Sequence, residues 1–340
     1  MSPEWHSRPI ATREGDGANL DPVAPEHNLD AVLSHNTCCR LDNWGVLGVS
    51  GSDAGSFLQG QITQDIQRIR PTRSHLAAHC TPKGRMLALF RIVHHDTGYR
   101  LLLPREQLPA LHQRLRMFVL RARVDLSDDS DNCLCVGLGG PDAEALLARL
   151  YLLPGAVDQV TVNAGLRLLR LAGVSPRFLL LGEPERVATV MAELAPAFTP
   201  VGTNAWRLLD ILAGIPSVYP QTADQFVPQM ANLDSLGGIS FQKGCYTGQE
   251  IVARSHYLGK LKRRMFRLDL ASGHARPGMA VVSEADPGQP AGMVVDAAPH
   301  PAGGEALLAV LRLETARTRL HLHDADGPPL QAASLPYALS

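Results

Sequence analysis

From Arg263 onward, short apolar stretches recur at close intervals: RMFRLDL, MAVVSE, AGMVVD, EALLAVLRL and RLHLHD. Gly and Pro separate most of them. Short, evenly spaced strands punctuated by turn residues predict an all-β module, most simply a small barrel. Upstream of Tyr257 to Lys262 the texture is different, with strands and helical stripes mixed. A boundary is therefore expected there, and a length of 340 residues is itself too much for one ordinary core.

The mixed part divides again. WGVLGVSG reads as a strand ended by Gly51, after which Ser52 is placed to cap a short helix with Phe57 and Leu58 inward. HLAAHC, RMLALFRIVHH and YRLLLP read as an antiparallel meander with TPKG and DTG turns. Leu108, Leu111, Leu115, Phe118 and Val119 form a helical stripe. Then follow a buried strand at CLCVGLGG and a helix at PDAEALLARLYLL, with Pro141 in its first turn. VTVNAGLRLLRLAGVSPRFLLLGE gives three strands, turning at Asn163-Ala164-Gly165 and Gly173, before a helix with Val187, Val190, Met191 and Leu194 on one face. This pattern predicts a ferredoxin-like α+β unit. A further helix runs from Thr203 or Asn204 to Gly214.

Lys plus Arg number 32 and Asp plus Glu 33, so no global charge pulls the chain toward nucleic acid or membrane, and any basic surface must be local. No apolar run approaches the ~20 residues of a membrane helix. The first 30 residues mix Pro, Gly, Asp, Glu and Arg and read as a mobile tail rather than a signal peptide. The six cysteines, Cys38, Cys39, Cys80, Cys133, Cys135 and Cys245, contain no CxxC pair, and no Cys/His set has zinc spacing. No metal site is expected, and a reducing, cytoplasmic compartment is.

The segment FQKGCYTGQE, Phe241 to Glu250, carries the strongest chemical signal. Thr247 followed three residues later by Glu250 matches a capping box, which predicts a helix running to Gly259 with Ile251 and Leu258 inward. Cys245 then lies beside the positive end of a helix dipole, with Lys243 and Arg254 nearby, surroundings that favour a thiolate. Gly244 leaves room for a ligand or another backbone. A cysteine in a turn is equally a small buried hydrophobe, and the local pattern alone leaves both readings open. Other candidates are weaker. Cys133 and Cys135 share one strand face and read as core, as does Trp206. The basic run KLKRRMFR, with Lys260, Lys262, Arg263, Arg264 and Arg267, reads as a solvated hairpin or as a contact for phosphates, glutamate tails or RNA.

KGCYTGQE resembles the signature of the YgfZ-type folate-binding proteins, relatives of the glycine-cleavage aminomethyltransferase, the T-protein. FLQGQITQDI, HCTPKGRMLALFRI, LLDILAGIP and the whole stretch from Phe226 to Arg264 are similar to that family as well. The resemblance implies an α+β, T-protein-like fold of two α+β domains plus a C-terminal β-barrel, around a central hole. On it we expect a flexible tail over 1–30, a discontinuous folate-binding domain from 31–125 with 201–256, a ferredoxin-like domain over 126–200 and a barrel over 257–340. It implies binding of tetrahydrofolate or another reduced folate, and support for assembly or maintenance of iron-sulfur enzymes and through them tRNA modification. Partners would be iron-sulfur client proteins or assembly factors, with RNA contact through Lys260, Lys262, Arg263 and Arg264. The family's functional cysteine maps to Cys245 and its lysine to Lys243, while Gln229, Asn232, Tyr246, Gln249, Glu250 and Arg254 are the expected folate contacts.

The departures from the T-protein sharpen this. T-proteins carry paired aspartates after a Gly-Gly segment, whereas the matching PKGRMLALF, Pro82 to Phe90, has no acidic residue. Aminomethyl transfer by the T-protein route is therefore not expected. T-proteins also place an acid in the pterin pocket where Gln229 stands here, and an amide pairs less strongly than a carboxylate, which implies looser folate binding. A folate-dependent one-carbon transferase acting on a protein, RNA or small molecule is the alternative reading, and an RNA-binding module the third.

Overall fold

In the computed structural model, which describes residues 23–96, 98–149, 153–257 and 261–339, the chain forms two open sheets with helices and one closed barrel. The 1–30 tail and Lys260 fall wholly or largely outside those residues.

The first segments in chain order are β1 (Thr37–Arg40), β2 (Trp44–Ser50), α1 (Ala54–Gln59), β3 (His75–Cys80), β4 (Met86–His95), β5 (Gly98–Pro104), α2 (Leu108–Val119) and β6 (Asp125–Asp128). β3-β4-β5-β2-β6 make a five-stranded sheet. Leu47, Ile92, Leu101 and Leu115 pack between this sheet and α2 at under 2% exposure. Phe57 and Leu58 of α1 face that core as expected, but Asp53, not Ser52, occupies the N-cap position.

Next come β7 (Leu134–Gly139), α3 (Ala143–Leu147), β8 (Val160–Asn163), β9 (Leu166–Leu171), β10 (Arg177–Gly182), α4 (Pro184–Leu194), β11 (Thr199–Pro200) and α5 (Thr203–Leu212). The hairpin β8–β9 turns at Ala164 and Gly165, both at positive φ, a two-residue turn whose twist matches its strands. The six-stranded order is β11-β1-β7-β10-β9-β8. β1 thus lies in this sheet, antiparallel to β7 and parallel to β11, so residues 37–40 do not join the five-stranded sheet with the rest of 31–125. Six strands, one of them, β1, from outside 126–200, also exceed a ferredoxin-like unit. No local signal in TCCR could reveal a partner almost a hundred residues away. Gly137 of β7 gives Trp206 of α5 its place, because a Cβ there would meet the indole at 2.4 Å.

After a long irregular stretch come α6 (Gln249–Tyr257), β12 (Arg263–Leu270), β13 (Ala280–Ser283), β14 (Asp286–Pro299), β15 (Glu305–Arg312), β16 (Leu320–Leu322) and β17 (Pro329–Ala333). β12-β15-β14-β13-β16-β17 close into the expected barrel. Its closing strand, β17, gave no sequence signal: PLQAA opens on proline and contributes only Leu330 to the barrel core. Among the described residues no helix is long and apolar enough to cross a membrane.

Candidate functional site

The segment Gly237 to Thr247 is irregular, so its position is set by side chains and single main-chain bonds. Thr63 Oγ1 and Gln64 Nε2 donate to the carbonyls of Gly238 and Gly237. Ser240 N donates to Thr63 O, and Thr247 N to Gly60 O. Between these ties Lys243 turns inward. Its Nζ donates to the carbonyls of Gln59, Ile62 and Gln64 at 2.6, 2.7 and 2.9 Å. The first acceptor ends α1, where helix carbonyls lack partners of their own. The ammonium also lies 4.9 Å from the centre of the Tyr246 ring. Burial pulls Lys243 down to about 8, and Asp65 opposes the shift. The sequence expectation placed this cation at the thiol of Cys245; in the structure its three donors anchor the loop.

Cys245 is exposed, whereas the other five cysteines are buried. Burial pushes Cys38 and Cys80 up to about 12, which removes them from thiolate chemistry. A Cβ at Gly244 would have no heavy atom within 4 Å, so the side of the turn next to the thiol is open. The turn Thr81–Arg85 closes the other side. Gly84 and Gly248, at φ +70° and +84°, touch each other, and a Cβ at Gly248 would meet the Thr81 carbonyl at 2.4 Å. α6 starts from this contact. Among its described side chains the buried one is Val252, at 0% exposure, while Ile251 is 36% exposed and lies against Gly84. The expected inward pair was Ile251 and Leu258; Leu258 lies outside the described residues. Thr81 Oγ1, just before Pro82–Phe90, donates to the carboxylate of Asp224 at 3.5 Å. Arg85 holds the same segment by donating to the Asp224 carbonyl.

The expected folate contacts separate. Gln229, 1% exposed, donates through Nε2 to Val252 O at 2.6 Å, and its Oε1 is buried without a partner. Asn232 is occupied: it stands at φ 59°, its Nδ2 donates to Met265 O at 2.9 Å, and Met265 N donates back to its Oδ1 at 3.3 Å. It joins the α+β part to β12. Tyr246 is buried under Lys243, Gln249 is half-buried, and Glu250 and Arg254 are exposed on α6. The basic run also divides. Lys262 and Arg263 are exposed. Arg264 is not available for RNA, because it is 5% exposed, donates to Gln229 O at 3.0 Å and pairs with Asp234 at 2.6 Å. Its neighbour Met265 is buried too, at 0% exposure, so β12 enters the joint with the α+β part on both faces here.

A second feature had no sequence signal. Trp44 borders three cavities of about 130, 50 and 70 Å³, of which the third reaches the barrel. The third contains Arg207 of α5, Tyr219 and Asp296 of β14. Tyr219 OH donates to Asp296 at 3.0 Å, and Arg207 Nε lies 3.1 Å from both Tyr219 OH and the Asp296 carboxylate. Burial raises Asp296 to about 6, against the pull of Arg207. The three residues come from distant segments, so no spacing announces them. Among the described residues no three His, Cys, Asp or Glu side chains gather to hold a metal.

Two α+β sheets and a terminal barrel around a shared cleft define a T-protein-like protein. The aminomethyltransferase T of the glycine cleavage system from Bartonella henselae superposes with a TM-score of 0.71 at 15% identity, covering 96% of this chain and 93% of that one. No protein-family model matches the chain. The tRNA-modifying protein YgfZ of Pectobacterium carotovorum is 36% identical over 248 residues, 73% of this chain and 74% of its own. That of Edwardsiella ictaluri is 34% identical over 323 residues, 93% of this chain and 97% of its own. The chain belongs to the YgfZ family.

Proposed function

We propose that this protein binds a reduced folate, tetrahydrofolate or a derivative, and supports assembly or maintenance of iron-sulfur enzymes, and through them tRNA modification, with Cys245 as its working thiol. The observation that carries the reading is the contrast between Cys245, exposed beside an open glycine, and five buried cysteines. A thiol displayed on a loop that a buried lysine ties down at three points is positioned to meet a partner's atom, not to fill space. The relatives' description as tRNA-modifying proteins agrees with it.

The folate is supported by one orphaned group. A pterin presents ring N–H donors, and Gln229 Oε1 is a buried acceptor without one. A bound pterin would relieve that cost, which is about 1–3 kcal/mol for an unpaired buried polar atom. The reduced pterin would supply its nitrogens as one-carbon carriers; the protein would orient it and exclude water. The alternative, a folate-dependent one-carbon transferase, draws support from Asp224, whose carboxylate accepts from Thr81 at the Thr81–Arg85 turn. A deletion strain complemented with wild type, Cys245→Ala or Asp224→Asn tests both. Iron-sulfur enzyme activities and modified tRNA nucleosides should be restored by wild type and Asp224→Asn but not by Cys245→Ala. Restoration by Cys245→Ala overturns the thiol's role, and failure of Asp224→Asn favours the transferase.

A further inference from the structure

The sequence QRIRPTRSH forms a fixed loop. Arg70 and Arg73 face each other across a tight turn, each main-chain N–H donating to the other's carbonyl, at 3.2 and 2.9 Å. Val160 N donates to Thr72 O, and Ser74 N to Asp158 O, so the turn is stitched to the edge of the six-stranded sheet at β8. A cleft of about 620 Å³ lies between the loop and that edge. Arg68, Arg70 and Arg73 line one wall and are exposed. Leu153, Pro154 and Val160 give the other an apolar surface, with Gln159 and Thr161 beside them.

Charge in this cleft is one-sided. Among the described residues none of the three arginines has an ion-pair partner. The nearby carboxylate, Asp158, is held by Arg91. At the floor His75 is 4% exposed, and its Nε2 has no hydrogen-bond partner. Like charges held together on a rigid turn repel, and a buried unpartnered ring nitrogen is costly, so both features are relieved by one anion. The volume falls in the range of ~300–1,000 Å³ typical of small-molecule sites. A flat base against Val160 and Leu153, with its phosphate toward the guanidinium forks, matches both walls. An oligoglutamate would match only the arginines.

We propose that this cleft is a binding site for nucleotide phosphate, carried by a free nucleotide or by an RNA strand. The proposal depends neither on folate binding nor on Cys245.

The experiment compares wild type, Arg70→Ser/Arg73→Ser and the barrel control Arg317→Ser/Arg319→Ser, with thermal melting as the check of folding. The probes are AMP, a fluorescent single-stranded RNA oligonucleotide and oligoglutamate, titrated across salt concentration. Wild type and the barrel control should bind AMP, the RNA or both. The cleft variant should bind about tenfold more weakly, the loss of one charged hydrogen bond. Its RNA salt slope should be shallower by about 0.7 for each phosphate contact removed. Tight RNA binding over weak AMP binding identifies a strand as the source, and comparable affinities identify a free nucleotide. The proposal is overturned if wild type binds neither, if the cleft variant binds both as wild type does, or if oligoglutamate alone binds.

Discussion

An ammonium that donates to three main-chain carbonyls cannot be replaced by a hydrocarbon without leaving those oxygens unpaired. Lys243→Met should therefore lower stability by roughly 3 kcal/mol, measured by urea unfolding. The penalty has a defined pH dependence. Lys243 falls on folding from 10.5 to about 8. Below 8 it is charged in both states and its burial cost is fully present; between 8 and 10.5 the folded state has lost the proton while the unfolded state keeps it. Wild type should gain stability relative to Lys243→Met as pH rises through that window, and a flat difference between pH 7 and 9.5 would refute the assignment. Cys245 has the opposite character. It should alkylate first among the six cysteines of the native protein, read by mass spectrometry, and Cys245→Ala should melt with wild type. Sequence chemistry located both residues but misjudged their relation, because residues two apart in an irregular turn need not point the same way. The triple-carbonyl cage depends on a loop some 180 positions earlier, which no local pattern records.

The contact between the Thr81–Arg85 turn and the start of α6 rests on two glycines that touch. Gly248→Ala places a Cβ against a carbonyl oxygen at positive φ, and should cost roughly 2 kcal/mol. Gly244→Ala, with open space around it, should change stability by less than about 0.5 kcal/mol. Thermal denaturation of both separates a packing glycine from an access glycine; equal losses would mean that Gly244 is structural as well. Element existence was legible wherever periodicity was strong. The meander β3-β4-β5, the hairpin β8–β9 and the strand-rich C-terminal module all stand where their patterns put them. What failed was the facing of α6, where Val252 and not Ile251 is buried, and the strand β17. In both cases the deciding contact comes from another part of the chain: Gly84 crowds Ile251, and β12 recruits Pro329–Ala333 to close the barrel.

Across the whole molecule, the barrel is joined to the α+β part by polar groups that are buried or half-buried. Arg207 of α5 meets Asp296 of β14, Asn232 holds β12, and Tyr337 donates to Gly214 O at 2.7 Å. Arg207→Met leaves the Asp296 carboxylate without its cation and should destabilise by roughly 3 kcal/mol at pH 7. Burial raises Asp296 to about 6 from 3.8. Its carboxylate is therefore disfavoured above 6, and that cost is relieved as pH falls toward 4, where the folded state holds a proton the unfolded state lacks. The loss in Arg207→Met should shrink at pH 5; a loss that stays constant would show that the pair is not the source. The fold class was legible through the family signature, but this joint was not, because its members are scattered between positions 207 and 296. The placement of β1 bears on how the chain is made. A ribosome delivers Thr37–Arg40 long before β7, its antiparallel partner, and β11 arrives later still. The first strand must wait unpaired while about a hundred residues emerge, and the six-stranded sheet is not complete until the later segments return to it. The five-stranded sheet, β2 to β6, and the barrel, β12 to β17, are each written as one uninterrupted run of strands, so among the three sheets the six-stranded one must bridge a gap in the chain.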